Sequence, residues 1–348
     1  MRGRRPSCFV RKSLGLSAML MAVFFVLHAG ESLRGADFHW NPAVAARYSR
    51  NNGGTVLVIS RQGMPDSAFY EPGYHPRSPL PVFSITKSLT ALACLSLRNP
   101  TLEDTVHAAG GKDPVTLRHL LSQTSGISPG YGKLYKKNIS DVRKAASTLP
   151  EDSPPGERFE YGPSHYELIG NALSPVGGPA DGARRALTNF LNRLGIRPVD
   201  WRTDRQGHIF LSAGAVLTPE DLLKIGRFVL DRGRLSGFWP VMPKWKLEPA
   251  FTGSPANPAY GLGFWLNSAA GNSRPRDIEE AIGARLTRDE WSRMSLSNLA
   301  PRDLVCMAGS GGQRVYIIPS LRAVIVRLGH PSGFKDPAFL QALFSSKE

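Results

Sequence analysis

The sequence has few cysteines and lacks the common metal-binding and nucleotide-binding motifs. Only three of its 348 residues are cysteine, and no C-x-x-C pair occurs. So few cysteines build no disulfide framework. We expect Cys94 and Cys306 to be buried small hydrophobes, with one disulfide as the alternative. The eight histidines form no H-E-x-x-H or H-x-H pattern, and no G-x-x-x-x-G-K-[ST] or G-x-G-x-x-G loop is present. No metal and no cofactor are therefore predicted.

The first thirty residues contain no acidic residue and differ from the rest of the chain. A basic opening, residues 1–13, precedes the apolar run Leu14–Leu27. This order is typical of a secretory signal peptide, and a run of this length is short for a membrane span. We interpret residues 1–30 as a signal peptide, with an uncleaved N-terminal anchor as the alternative. The expected location is periplasmic or extracellular.

The remaining chain is basic and has the composition of a globular protein. The formal net charge is +15, and leaving out the five basic residues of the first thirty gives +10. No nucleic-acid-binding module accompanies this charge, so no nucleic-acid partner is expected. The charge favours attraction to an anionic surface such as a cell envelope, with a contribution to solubility alone as the alternative.

Strand patterns lie near both ends of the chain and helix patterns lie between them. Strands are predicted around a turn at Gln62-Gly63 in residues 51–74, and at 259–267, 303–309, 313–320 and 322–329. Helices are predicted at 84–98, 115–127, 164–173, 218–233 and 337–346. This order predicts an α/β (α+β) fold with one antiparallel sheet from both termini, flanked by helices. Its parts would be residues 31–83 with 210–348, and an inserted, mainly helical part, 84–209, in one catalytic unit.

An S-x-x-K pattern opens the predicted helix at residue 84. Ser84 and Lys87 would share one face of that helix, one turn apart. In one interpretation Ser84 caps the helix and Lys87 is exposed. In the other interpretation, Ser84 is a nucleophile. Lys87 would be buried among apolar neighbours, so it would lose its proton readily and could activate Ser84. The pattern also occurs at 332–335 without a following helix, which we interpret as chance.

Segments downstream of Ser84 resemble the serine β-lactamase-like superfamily. That superfamily includes class C β-lactamases, D-Ala-D-Ala carboxypeptidases, and related esterases and 6-aminohexanoate-dimer hydrolases. The similar segments, in order, are FSITKSLTAL (83–92), VTLRHLLSQTSGI (115–127), PPGERFEYGPSHYELIG (154–170), SAGAVLTPEDLLKIGRF (212–228), YGLGFWLN (260–267) and GSGGQRVYIIPSLRAVIVRLG (309–329). The resemblance implies a β-lactamase/transpeptidase-like fold.

The resemblance also implies roles for particular residues. Ser84 would be the nucleophile and Lys87 its activating neighbour. Tyr161 would be the tyrosine of the family's Y-x-N motif, acting as a phenolate or by relaying a proton with Lys87. The family's K-T-G or H-x-G strand would fall on Met307-Ala308-Gly309, and this strand would supply an N–H group to an oxyanion hole with Ser84. Ser310 follows directly.

The sequence departs from the family at two positions where polar side chains orient the substrate. Pro163 replaces the asparagine of Y-x-N, and Met307 replaces the lysine or histidine of the third motif. We retain Pro163, His165 and Arg314 as candidate substrate contacts, although His165 and Arg314 also suit exposed positions.

Together these features predict a secreted serine hydrolase that forms an acyl-enzyme on a small-molecule or peptide-like ester or amide. One alternative is a true β-lactamase or D-Ala-D-Ala carboxypeptidase. Another is a non-catalytic penicillin- or peptidoglycan-binding sensor.

Overall fold

The computed structural model describes residues 39–106, 113–174, 181–197, 200–235 and 241–345. The predicted signal segment, residues 1–30, lies outside the described residues. The strands are β1 (Gly54–Arg61), β2 (Ser67–Tyr70), β3 (Leu80–Pro81), β4 (Asp200–Trp201), β5 (Ala215–Leu217), β6 (Trp265–Leu266), β7 (Arg274–Pro275), β8 (Met294–Ser295), β9 (Val305–Gly309), β10 (Gln313–Ile318) and β11 (Ala323–Gly329). The helices are α1 (Pro42–Asn51), α2 (Ile85–Ser96), α3 (Leu117–Leu121), α4 (Tyr131–Leu134), α5 (Val142–Ser147), α6 (Ser164–Leu173), α7 (Gly182–Arg193), α8 (Pro219–Leu230), α9 (Lys244–Leu247), α10 (Ile278–Gly283), α11 (Arg288–Ser292) and α12 (Asp336–Phe344).

The main sheet has six strands in the order β2-β1-β11-β10-β9-β6. Every neighbouring pair is antiparallel. The sheet combines strands from both ends of the chain, which confirms the predicted fold class. Strands β9 and β10 are buried along their whole length. Such continuous burial is expected for a strand that is covered on both faces.

Helices cover the two faces of this sheet. Helix α8 packs against β10 and β11, α2 packs against β9, and α1 packs against β1 and α12. The side chain of Thr218 caps α8 in a capping box with Asp221, and this arrangement satisfies two unpaired groups at the helix start. Gly226 permits the close approach of α8, since a Cβ there would lie 2.4 Å from a methyl of Val324.

One helix and one strand are much shorter than their sequence patterns predict. The helix predicted at 115–127 is the five-residue α3, because Gln123 has φ of 57° and Gly126 φ of 78°, which turn the chain. The strand predicted at 259–267 is reduced to the two residues of β6. There Gly263 has φ of 80°, and its carbonyl accepts a 2.5 Å hydrogen bond from Ser88 of α2.

Both cysteines in the described part of the chain are free and buried, as expected. No described helix combines the length and the apolar composition that crossing a bilayer requires.

A buried ion pair joins α12 to the middle of the sheet. Arg314 of β10 is 0% exposed, and its Nε and Nη2 donate to the two carboxylate oxygens of Asp336 at 2.8 and 3.0 Å. The hydroxyl of Tyr316 donates to the same carboxylate at 2.5 Å. The expectation that Arg314 is an exposed strand residue or a substrate contact is therefore wrong. Alternate residues of a strand face opposite sides, and Arg314 lies on the side that α12 covers.

We expect Asp336→Ala to lower the stability of the protein strongly. The substitution removes the carboxylate to which Arg314 is hydrogen-bonded and leaves the Asp277 carboxylate, at 3.8 Å, as its buried partner. Losing one partner of a buried pair costs about 3–5 kcal/mol. Urea denaturation would measure the free energy of unfolding. As a control, Asp66→Ala removes the exposed pair of Asp66 with Arg227 and should cost no more than about 1 kcal/mol. Similar small losses in both variants would contradict the importance of the buried pair.

Candidate active site

A cleft of about 700 Å³ lies beside the start of α2. Ser84 opens into it, and Phe83, Tyr131 and Tyr135 form aromatic walls. Residues 213–216 form another side. The charged residues that line the cleft are Asp200, Arg202 and Glu279. A concave site with apolar walls and a few polar groups is typical of small-molecule binding.

The chain is bent sharply just before Ser84. Phe83 has φ of 47°, a conformation that bulky residues rarely adopt. Such backbone strain costs about 1–3 kcal/mol and persists where surrounding contacts enforce it. Here the N–H of Val82 donates to the Ala215 carbonyl at 3.1 Å, and the N–H and hydroxyl of Thr86 both donate to the Phe83 carbonyl. These contacts hold Ser84 at the mouth of the cleft.

Ser84 and Lys87 are hydrogen-bonded to each other. The Ser84 hydroxyl makes no capping bond to α2, and it accepts from Lys87 Nζ at 3.1 Å. Lys87 is only 1% exposed, so it does not extend into solvent. Burial lowers the pKa of Lys87 to about 7, while the nearby Glu167 carboxylate acts in the opposite direction. The geometry therefore favours the interpretation of an activated serine over that of a capped helix.

Tyr161 lies against the same pair. Lys87 Nζ is 4.8 Å from the centroid of the Tyr161 ring. Burial raises the pKa of Tyr161 to about 12, although a hydrogen bond with Ser84 lowers it. The phenol therefore keeps its proton at neutral pH, which favours a proton relay over a standing phenolate. Behind it, the rings of Tyr260 and Trp265 lie 6.0 and 5.9 Å away.

The loop that carries Tyr161 is held by two buried polar residues. The side-chain oxygen of Gln123 accepts from the Gly162 N–H at 2.7 Å, and its amide nitrogen donates to the Tyr260 hydroxyl at 3.0 Å. His165 is 1% exposed and contacts the Glu160 carbonyl at 2.7 Å and the Ser125 hydroxyl at 2.8 Å. His165 is thus neither exposed nor part of the cleft lining. Burial lowers its pKa to about 4, so the imidazole is neutral.

The end of β9 lies directly beside Ser84. A Cβ on Gly309 would be 2.3 Å from the Val82 carbonyl oxygen and 3.2 Å from the Ser84 nitrogen. Ser310 lines the cleft. Met307 is fully buried in the hydrophobic core, and Ala308 is also buried. The third motif therefore presents its glycine end to Ser84 and has no polar side chain at position 307.

Pro163 is buried at the start of α6 and does not line the cleft. Its ring cannot donate a hydrogen bond. None of the three predicted substrate contacts, Pro163, His165 and Arg314, lines the cleft.

Sequence reasoning missed Glu167, Ser212 and Tyr135. The Glu167 carboxylate accepts from Ser212, and the Ser212 carbonyl accepts from Lys87 Nζ at 3.0 Å. The Tyr135 hydroxyl lies 3.3 Å from the Ser212 hydroxyl. An acidic residue inside the apolar helix SHYELIGNAL was the available signal for Glu167. Tyr135 stands in a run of lysines, which carries no such signal.

Two other serine patterns lie elsewhere. In the second S-x-x-K, Ser332 donates to the Asn52 carbonyl and Lys335 pairs with Glu280 at 2.7 Å on the surface. Residues 126–130 read G-I-S-P-G, which fits the G-x-S-x-G pattern of other hydrolases. Their Ser128 is in a loop, where its N–H donates to the Pro150 carbonyl.

Among the described residues, one group has ligand atoms close enough for a metal ion. It consists of Asp141, Asp204 and His208, whose ligand atoms lie within 4.8 Å of one another. Asp204 is already saturated, since the Val142, Gln206 and His208 N–H groups and the His208 ring all contact its carboxylate. The group serves as a loop anchor and carries no metal assignment.

Comparison with known proteins gives one family over most of the chain. The family described as Beta-lactamase matches residues 44–338. A curated relative, Protein flp of Staphylococcus aureus (strain COL), is 27% identical over 141 residues. That match covers 36% of this chain and 27% of the relative, so the chain spans about a quarter of the relative's length.

Solved structures share the fold at low sequence identity. The hydrolase EstCE1, described as having promiscuous acyltransferase activity, superposes with a TM-score of 0.59 at 16% identity, covering 86% of this chain and 97% of that one. A D-stereospecific amidohydrolase from Streptomyces sp. gives 0.58 at 17% identity, covering 88% and 99%. Likeness at this level of identity establishes the fold alone.

We expect Gly309→Ala to slow the reaction of Ser84 with a fluorophosphonate probe about 10- to 100-fold, because small displacements of a reacting group are costly. The added Cβ would push β9 away from the Ser84 segment. The measurement is the second-order rate of labelling at pH 8. Gly132→Ala is the matched control, since nothing lies within 4 Å of a Cβ there. Equal rates in the two variants would show that the close approach of β9 is not required.

Proposed function

The chain belongs to the beta-lactamase family, and from that premise we propose that it is a serine hydrolase that forms an acyl-enzyme on Ser84 from an ester or amide. The observation that carries the proposal is the 3.1 Å hydrogen bond between Ser84 Oγ and a buried Lys87. A serine hydroxyl needs a nearby base to become nucleophilic. A buried lysine of lowered pKa supplies one near neutral pH.

In the acylation step, Ser84 Oγ attacks the substrate carbonyl carbon and its proton passes to the neutral Lys87 amine. The oxyanion that forms requires N–H donors. The N–H groups of Ser84 and Ser310 are the candidates, because Ser84 begins α2 and Gly309 brings the end of β9 against it. Preorganised donors of this kind stabilise the developing negative charge strongly, because they need no reorientation during the reaction.

Tyr161 completes the proton path. Its phenol keeps its proton because burial raises its pKa, so it can donate to the leaving oxygen or nitrogen and be reprotonated from Lys87. Water then attacks the acyl-enzyme carbonyl, the Lys87 amine, which is neutral again, accepts the water proton, and Ser84 is released as its oxygen takes that proton from Lys87. Every step uses groups that lie at or beside the cleft.

The walls of the cleft favour a substrate with an apolar acyl group. Phe83, Tyr131 and Tyr135 line it, and aromatic surfaces bind apolar groups well. Position 163 has no polar side chain, and Met307 is buried in the core. These are the positions at which the resemblance implies orientation of a penicillin or D-Ala-D-Ala peptide. The proposal therefore favours esters and simple amides over β-lactams.

Secretion is part of the proposal and rests on the sequence alone. The basic opening and short apolar run of residues 1–30 support a signal peptide or anchor. The net charge of the remaining chain supports association with an anionic envelope surface.

We expect Ser84→Ala to abolish covalent labelling by a fluorophosphonate or a fluorescent penicillin. The reason is that the alanine side chain has no oxygen to acylate. Labelling is read by gel fluorescence and by the mass of the labelled peptide. Ser332→Ala, in the second S-x-x-K pattern, is the matched control and should label like the wild type. Undiminished labelling of Ser84→Ala would contradict the assignment of Ser84 as the nucleophile.

We expect the wild type to hydrolyse p-nitrophenyl butyrate with a higher kcat/KM than nitrocefin. The apolar cleft and the missing polar side chains at positions 163 and 307 are the reasons. Equal or better turnover of nitrocefin would instead support the β-lactamase alternative. A stoichiometric burst without turnover of the ester would support the sensor alternative.

A further inference from the structure

Glu167 is a buried acid that the serine, lysine and tyrosine chemistry does not require. It lies in α6 and is 0% exposed. One carboxylate oxygen accepts from the Ser212 N–H at 3.1 Å and from the Ser212 hydroxyl at 2.5 Å, and the other accepts from the Leu211 N–H at 3.2 Å. Burial raises the pKa of the Glu167 carboxyl, while the three donors and the Lys87 charge act in the opposite direction and favour its ionised form.

Ser212 connects this carboxylate to the proposed base. Its carbonyl accepts from Lys87 Nζ at 3.0 Å. The segment is also fastened to α2, because the Thr90 hydroxyl donates to the Leu211 carbonyl and the Ala215 N–H donates to the Thr86 hydroxyl. Beyond Ser212, residues 213–216 form a wall of the cleft. Glu167 thus anchors the segment whose carbonyl is the second acceptor of Lys87, besides Ser84.

The other titratable groups around Lys87 are neutral near pH 7. The rings of Tyr161 and Tyr166 lie 4.8 and 5.6 Å from Lys87 Nζ, and burial raises the pKa of both phenols. Burial also raises the pKa of Tyr135, which contacts Ser212. His165 lies two positions before Glu167 on α6, and it is neutral because burial lowers its pKa. Among the described groups that face Lys87, Glu167 supplies the negative charge.

We propose that Glu167 is a positioning residue for Lys87: through Ser212 it orients the lysine amine toward Ser84 and sets the pH at which that amine becomes a base. The inference rests on the proposed function of Lys87. The side chain of Pro163 offers no hydrogen bond, so the polar contact to the Lys87 amine from this side comes from the Ser212 carbonyl.

The direction of the pH effect follows from the charges. Burial lowers the pKa of Lys87 to about 7, and the Glu167 anion holds it from falling further. Removing the anion should therefore lower the pKa of Lys87 again. The acylation rate should rise with pH through the pKa of Lys87, since only the neutral amine accepts the Ser84 proton. In a variant without the Glu167 charge, that rise should occur at lower pH.

The test compares the fluorophosphonate labelling rate of Ser84 between pH 5 and 9 in wild type, Glu167→Gln and Glu157→Gln. The wild type should show an inflection near pH 7. Glu167→Gln should shift it down by about one pH unit, the usual size of an opposite-charge effect at close range. Its plateau rate should also be lower, because the anchoring of Ser212 is weaker. Glu157 is exposed, so Glu157→Gln removes the same charge and should leave rate and inflection unchanged.

A second variant covers the case in which Glu167→Gln does not fold. Ser212→Ala keeps both backbone bonds to Glu167 and the carbonyl contact with Lys87, and it removes only the hydroxyl that helps keep Glu167 ionised. Its inflection should move in the same direction by a smaller amount. An inflection that stays at the wild-type pH in every folded variant would overturn the inference and leave Glu167 as a loop anchor only. Wild-type protein that is not labelled at Ser84 would instead contradict the proposed function.

Discussion

The burial of the Lys87 ammonium one turn after Ser84 is the constraint on which the candidate site depends. Burying a charged lysine away from water costs free energy of folding, unless its pKa falls so that it loses the proton or polar partners surround the ammonium. Here both occur: the pKa falls to about 7, and the amine donates to the Ser84 hydroxyl and the Ser212 carbonyl. The same desolvation that destabilises the cation favours the neutral amine, which is the form that the proposed base requires.

Much of the surrounding structure serves to keep that arrangement in place. On one side, aromatic rings and the Gln123 amide fix the loop that carries Tyr161. On another, Glu167 fixes the segment of Ser212. Position 163 has no polar side chain, and the backbone carbonyl of Ser212 supplies a polar contact to the lysine. Lys87 is therefore held by polar groups, while the cleft surface itself is largely apolar.

The C-terminal part of the chain supports the cleft from the sheet side. The Arg314 guanidinium, paired with Asp336, also donates to the Gly309 carbonyl at 2.9 Å. Gly309 in turn lies against the Ser84 segment. The Asp336 carboxylate further accepts from the N–H of Ile278 at the start of α10, the helix that contributes Glu279 to the cleft. A buried ion pair thus aligns the β9 edge and a cleft wall together, although it lies outside the proposed proton path.

Local patterns in the amino-acid sequence were enough to predict the antiparallel sheet, the helix at Ser84, α6, α8 and the order of the segments that resemble the family. Apolar spacing, caps and turns are short-range features, and the spacing along one helix already puts Ser84 and Lys87 on one face. The burial of polar groups became visible only in the folded chain. Arg314 and His165 suit exposed positions by local pattern, and Glu167, Ser212 and Tyr135 come from three separate segments. Whether a charge faces water or another charge depends on long-range packing, and that packing is what brings Glu167 to the segment that holds Lys87.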